Sequence, residues 1–220
     1  MKLSDPQFPQ FTEVGEGDRA LIVRADGVVG LVDVSLLGGS GGGGGEPPEP
    51  TIQGFTVLGK NTALQGDWGG TFGSKGYLLP AWEFYNDRAS LPANVGAYAF
   101  SDGNVYAFGV TDIRALPGQA DNQGVRHATV YFGGTPKATF TVSDAQVGKI
   151  AIYGCDFDNG RGDFTAKIVS LADPTKTAQA TLTAEEYNLG GYLQFSYQGS
   201  FRIETSVSSG NCVFSGLFFD

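Results

Sequence analysis

Residues 38–50 read GGSGGGGGEPPEP, a stretch in which nothing can pack although the chain on either side of it can. Its first eight residues carry no side chain beyond one serine, so their backbone is a flexible coil with a root-mean-square span of roughly 16 Å. The Glu-Pro-Pro-Glu-Pro end is stiffer, because proline fixes φ and pushes the residue before it toward extended geometry. A tether of this kind separates a head piece, residues 1–37, from a body, residues 51–220. Chains below roughly 40 residues generally need disulfides, a metal or a partner to hold a fold, and residues 1–37 contain neither cysteine nor histidine. The head piece is therefore expected to be ordered only on a partner or in an oligomer, and only the body can bury a core alone.

Glycine makes up 34 of the 220 residues and aromatic residues 12%, while charged residues are only 17%. That balance suits a turn-rich all-β protein better than a helical one. The net charge of −9 argues against a nucleic-acid partner, since phosphate binding is dominated by Lys and Arg. No apolar run approaches the ~18 residues of a membrane-spanning helix, so membrane insertion is not expected. The start of the chain, with Asp5 and Pro6, has no apolar signal region, and export by the common route is not expected either. Cys155 and Cys212 are too few for a disulfide scaffold and read as two reduced, buried thiols rather than a bridge.

Within the head piece, residues 3–12 hold Phe and Leu anchors spaced by Pro6 and Pro9 and read as an extended arm. The apolar run Ala20-Leu21-Ile22-Val23, the Asp26-Gly27 turn signal and a second run over residues 28–34 spell a β-hairpin, with Leu21, Val23, Val29 and Leu31 as its apolar contacts. The order FTEVGEGDRALIVRADGVVGLVDVSLL, followed by polyglycine, resembles the N-terminal attachment modules of bacteriophage tail fibres and related virion fibres. The resemblance implies that Leu21, Val23, Val29 and Leu31 belong to a unit docking the chain on the particle, and that the assembly is a homotrimer.

From residue 51 onward the body reads as short strands without a sustained 3.6-residue period. Strands are expected over residues 105–110, 126–132, 137–142, 149–154, 164–170, 192–197 and 201–207. Gly133-Gly134 turns between two of them, and Gln198-Gly199-Ser200 joins the last two as a tight hairpin. Ten to twelve such strands suggest a β-sandwich of jelly-roll type. One helical turn is expected where Thr183 stands three residues before Glu186 as a capping box, with Gly190 placed to end it. Four blocks, QGDWGGTFGSKGY (65–77), IYGCDFDNGR (152–161), GGYLQFSYQG (190–199) and SGLFFD (215–220), resemble the β-sandwich accessory modules of some bacterial polysaccharide-degrading enzymes. That likeness implies a sandwich fold and carbohydrate binding, although Phe157 stands where such modules usually carry tryptophan.

In DFDNGRGD, Asp156, Asp158, Asn159 and Asp163 could wrap Ca²⁺ with oxygen ligands, the single cofactor the sequence suggests. An internal pair between Arg161 and these carboxylates is the favoured alternative, and the tripeptide Arg161-Gly162-Asp163 is a chance match to a cell-adhesion motif. Trp68 is expected to pack on the sandwich. Trp82 and Tyr85, beside the polar Asn86 and Asp87, are expected on an exposed loop. There the rings would cover the C–H face of a sugar while the polar groups reach its hydroxyls, the alternative being that Trp82 plugs one end of the sandwich. Catalysis finds little support. His127 alternates within a strand and reads as structural, no serine occupies a nucleophile elbow, and Glu185 and Glu186 are adjacent rather than facing.

The chain thus reads as a non-enzymatic bacteriophage virion protein, a tail fibre or head/tail appendage assembled in the host cytoplasm. It contacts other virion proteins and displays a sandwich that meets host-surface polysaccharide. The alternative is a capsid or tail decoration protein that binds no glycan. A third reading, an accessory subunit of a secreted enzyme complex, sits poorly with the expected absence of export.

Overall fold

The computed structural model describes residues 19–23, 29–33, 54–83, 86–117, 126–143 and 146–220. The chain divides into two units, Met1–Glu49 and Pro50–Asp220. In the first, β1 (Arg19–Val23) pairs antiparallel with β2 (Val29–Asp33), setting Leu21 opposite Leu31 and Val23 opposite Val29. The Asp26-Gly27 turn, the extended arm and the polyglycine run lie outside the described residues.

The second unit is all-β, with antiparallel sheets and, among the described residues, one short helix. Its strands are β3 (Val57–Asn61), β4 (Gly76–Glu83), β5 (Asn86–Ser90), β6 (Val95–Ser101), β7 (Asn104–Val110), β8 (Leu116–Pro117), β9 (Arg126–Gly133), β10 (Lys137–Val142), β11 (Val147–Gly154), β12 (Phe164–Ser170) and β13 (Thr177–Leu182). After the helix α1 (Ala184–Leu189) come β14 (Gly191–Gln198), β15 (Phe201–Val207), β16 (Cys212–Phe214) and β17 (Gly216–Phe219). A six-stranded sheet runs β3-β14-β11-β17-β4-β5, a five-stranded sheet runs β13-β12-β15-β10-β6, and a smaller sheet runs β16-β9-β7 with β8 also on β9.

The six-stranded sheet is covered on both faces, and its sequence explains why. Strand side chains alternate between faces, and a sheet buried on both sides reads as near-continuous apolar runs, as in IAIYG of β11 and GLFF of β17. One parity, Ile150, Ile152, Leu193, Phe195, Leu217 and Phe219, meets Phe140, Phe164, Ile168, Phe201 and Ile203 of the five-stranded sheet in one shared core. The other parity, Ala151, Tyr153, Tyr192 and Phe218, meets Trp68, Phe72, Leu79, Trp82 and Leu116 in a second cluster. Trp68 is buried there as expected, its indole N–H donating to the Pro117 carbonyl at 3.0 Å.

The helix forms as its capping box dictates. The Thr183 hydroxyl accepts from the Glu186 N–H, the Glu186 carboxylate accepts from the Thr183 N–H, and Gly190 closes the turn at φ 84°. Glycine is required at that position, because a Cβ there would stand 2.1 Å from the Tyr153 hydroxyl.

The two expected turns between consecutive strands are different objects. Residues 198–200 do not close a hairpin, since β14 belongs to the six-stranded sheet and β15 to the five-stranded one. Both strands carry large apolar side chains on their inner faces, so they are driven to face one another across the core; the Tyr197 and Phe201 rings pack tilted with centroids 4.5 Å apart. Likewise Gly133-Gly134 leads from the small sheet into β10 of the five-stranded sheet.

Both cysteines are free and fully buried, Cys155 in the second cluster and Cys212 in the shared core. Burial pushes the Cys155 thiol up to about 12 and the Cys212 thiol up to about 11, and a protonated, enclosed thiol is a poor nucleophile. A thiol-reactive chromogenic disulfide at pH 8 should therefore register no rapid reaction in the native protein and two thiols after unfolding. A single fast-reacting native thiol would contradict the packing described.

Candidate functional site

The site grows from a carboxylate buried at the end of β11. Asp156 is 0% exposed, and a bare charge there would be prohibitively costly unless paired and hydrogen-bonded. Its Oδ1 accepts from the Asp158 N–H at 3.1 Å, and its Oδ2 accepts from the Gly160 and Arg161 N–H groups, both at 2.8 Å. The Arg161 Nη1 closes an ion pair on Oδ1. Asn159 supplies the left-handed residue the loop needs, φ 56°, a conformation asparagine tolerates better than most. Burial pushes the Asp156 carboxyl up, but the backbone amides of Arg161 and Gly160 and the Arg161 guanidinium outweigh it and hold the group below the usual carboxylate range.

Arg161 holds three residues at once. Besides Asp156, its Nη2 donates to Asp158 Oδ2 at 2.7 Å and its Nε donates to the Asn211 carbonyl at 2.9 Å and to Asn211 Oδ1 at 3.2 Å. Arg114 supports the same loop: its Nη1 donates to the Asp156 and Asn188 carbonyls, and its guanidinium stands 5.6 Å from the Phe157 ring centroid.

Against this loop the small sheet presents an aromatic face. In its register Phe132 stands opposite both Asn104 and Val213, and Tyr106 lies two residues on from Asn104. Period-two alternation therefore puts Tyr106, Phe132 and Val213 on one side. Together with Phe157, Asp158, Arg161 and Asn211 they line a cleft of about 220 Å³. Tyr106 is 51% exposed. Its exposure follows from its place on β7, the outermost strand of the small sheet.

The residues singled out from sequence are distributed differently. Trp82 is not on an exposed loop: it is 4% exposed and stacks on the His127 ring, centroids 4.4 Å apart. A bulge across residues 79–83, with Ala81 at φ 55°, breaks the alternation of β4 and carries Trp82 into the second apolar cluster. The Asp87 carboxylate is occupied internally, accepting from the Ala81 N–H at 2.9 Å and the Tyr98 hydroxyl at 3.1 Å. Asn86 is exposed on β5 opposite Glu83, and Tyr85 lies outside the described residues. The sugar platform expected at Trp82 is thus not assembled.

Nor do Asp156, Asp158 and Asp163 form a Ca²⁺ cage. The Asp156 oxygens are consumed as above, while Asp163 Oδ1 turns away to accept from the Ala184 N–H at 2.8 Å. Among the described residues no group of three His, Cys, Asp or Glu side chains is placed to hold a metal. The arginine of the Arg161-Gly162-Asp163 tripeptide has a side chain only 12% exposed, so it does not present an adhesion motif. His127 is half-buried, its Nδ1 3.1 Å from the Trp82 carbonyl.

Arg161→Met should lower the unfolding free energy by about 3–5 kcal/mol, because it strands the buried Asp156 charge. The sign with pH follows from the depressed carboxyl. The pair's contribution is complete above the ordinary aspartate value of 3.8 and is lost as pH falls through the lower folded-state value. The gap between wild type and variant in chemical denaturation should hold from pH 7 to about 4 and narrow below. A gap that is negligible at pH 7, or that widens on acidification, would contradict the assignment.

No known protein family, no curated protein and no solved structure matches the chain.

Proposed function

We propose that this chain is a bacteriophage virion protein, a tail fibre or head/tail appendage, that displays its body for recognition of host-surface polysaccharide. The observation that carries the reading is the cleft, where exposed Tyr106 and the Phe132 and Phe157 rings stand beside the fixed polar groups Asp158 and Asn211. Aromatic surface next to convergent hydrogen-bonding groups is the chemistry that grips a sugar. Among the described residues lining the cleft there is no facing pair of free carboxylates and no nucleophile with a base, which favours binding over catalysis.

The body winds as a jelly roll in this reading. The chain passes from the five-stranded to the six-stranded sheet between β10 and β11, back for β12 and β13, and across again at β14, β15 and β17. Although the sheets among the described residues number four, as in a small propeller, each large sheet draws neighbours from distant stretches, β3 beside β14 in the six-stranded sheet and β15 beside β10 in the five-stranded one. Propeller blades are built instead from consecutive strands.

Docking falls to residues 1–37, with the β1–β2 hairpin and its Leu21, Val23, Val29 and Leu31 seated on other virion proteins. A homotrimer there supplies burial that so short a piece lacks, and the tether lets several bodies engage one surface. Weak binding at each copy then gains through multivalency.

Deleting residues 1–37 should leave a soluble body with an unchanged thermal transition that is missing from purified particles. Incorporation at normal copy number would refute the docking role. The full-length protein should also sediment with host envelopes; particles that carry the protein while it binds no envelope polysaccharide would identify it as a decoration protein instead.

A further inference from the structure

The geometry points to the cleft as a subsite for one neutral pyranose ring, with Arg161 as a positioning residue that holds Asp158 and Asn211. The inference rests on the glycan-recognition reading above and names the ligand class for that cleft.

Three observations converge on this ligand. The first is size. About 220 Å³ lies below the ~300 Å³ at which drug-sized pockets begin, a size that suits one sugar ring.

The second is charge. Among the described residues lining the cleft Arg161 is the one cation, and it is matched by two carboxylates, Asp156 and Asp158. The local sum is one negative charge, on a protein of net charge −9. A uronic or sialic acid would meet repulsion with no free cation among the described lining residues to offset it, whereas a neutral ring meets none.

The third is the hydrogen-bonding set that Arg161 leaves over. Its Nη2 occupies Asp158 Oδ2 and its Nε occupies Asn211 Oδ1. That leaves Asp158 Oδ1 as an acceptor and Asn211 Nδ2 as a donor, neither bonded elsewhere among the described residues. One acceptor and one donor, tied to the same guanidinium, suit a pair of neighbouring sugar hydroxyls, each of which both donates and accepts. The apolar C–H face of the ring then lies against the Tyr106 side chain, which is 51% exposed at the cleft.

The test is a titration of the ¹⁵N-labelled full-length protein with neutral methyl pyranosides of the gluco, galacto, manno and N-acetylglucosamine series, each of the first three paired with its methyl uronide. At least one neutral sugar should shift the Asn211 side-chain amide and the backbone amides around Tyr106, and its uronide should bind about tenfold more weakly. Tyr106→Ala and Asn211→Ala, both exposed substitutions, should each weaken the neutral sugar about tenfold with the thermal transition preserved.

A uronide that binds as tightly as its neutral partner at the same residues would overturn the neutral class while leaving glycan recognition standing. Sugar-induced shifts confined to other residues would overturn the cleft. If no sugar produces shifts, the subsite is refuted, and the envelope-binding measurement above decides the wider reading separately.

Discussion

The buried pair between Asp156 and Arg161 is the interaction on which the cleft depends. A fully enclosed carboxylate is tolerable only because three backbone N–H groups and a guanidinium converge on it. In return, the guanidinium is fixed tightly enough to hold Asp158 on one side and Asn211 on the other. An interaction that adds little net stability can still fix a geometry, and here it joins the loop after β11 to the segment before β16.

That loop has a firm base because β11 lies inside a sheet covered on both faces. Ile150 and Ile152 are locked in the shared core, Ala151 and Tyr153 in the second cluster. A strand held from both sides has no freedom to tilt, so the position of Asp156 just beyond it is set by packing. The Tyr153 hydroxyl donates to the Arg114 carbonyl at 2.6 Å, and Arg114 reaches the Asp156 carbonyl at 3.3 Å, which ties the second cluster directly to the loop. The aromatic wall comes from a different sheet, and the cleft exists where the two meet.

Local signals were legible in the sequence where they act locally. The Thr183–Glu186 capping box and Gly190 appear as read, as do the antiparallel pairing of β1 with β2 and the Arg161–carboxylate pairing in DFDNGR. What could not be read is whatever depends on which sheet a strand joins. A short polar loop between two apolar strands suits a hairpin and a crossover alike, so Gln198-Gly199-Ser200 gave no indication that β14 and β15 part company. Trp82 looked exposed because the polar Asn86 and Asp87 follow it, yet the bulge at Ala81 turns it inward and Asp87 serves that bulge. Tyr106 lies in a strand the sequence marks out, but its place beside Phe157, Asp158 and Arg161 in one cleft is a long-range arrangement that the local pattern does not carry.

The measurement that reaches this account most directly is native-state hydrogen exchange at the Asp158, Gly160 and Arg161 amides. All three lie in a loop outside any strand, yet each donates to the enclosed Asp156 carboxylate. They should exchange as slowly as the Ile150 and Ile152 amides of β11, opening only with the whole body. Exchange at the rate of an open surface loop would show that the carboxylate does not organise this segment, and the cleft built on it would lose its foundation.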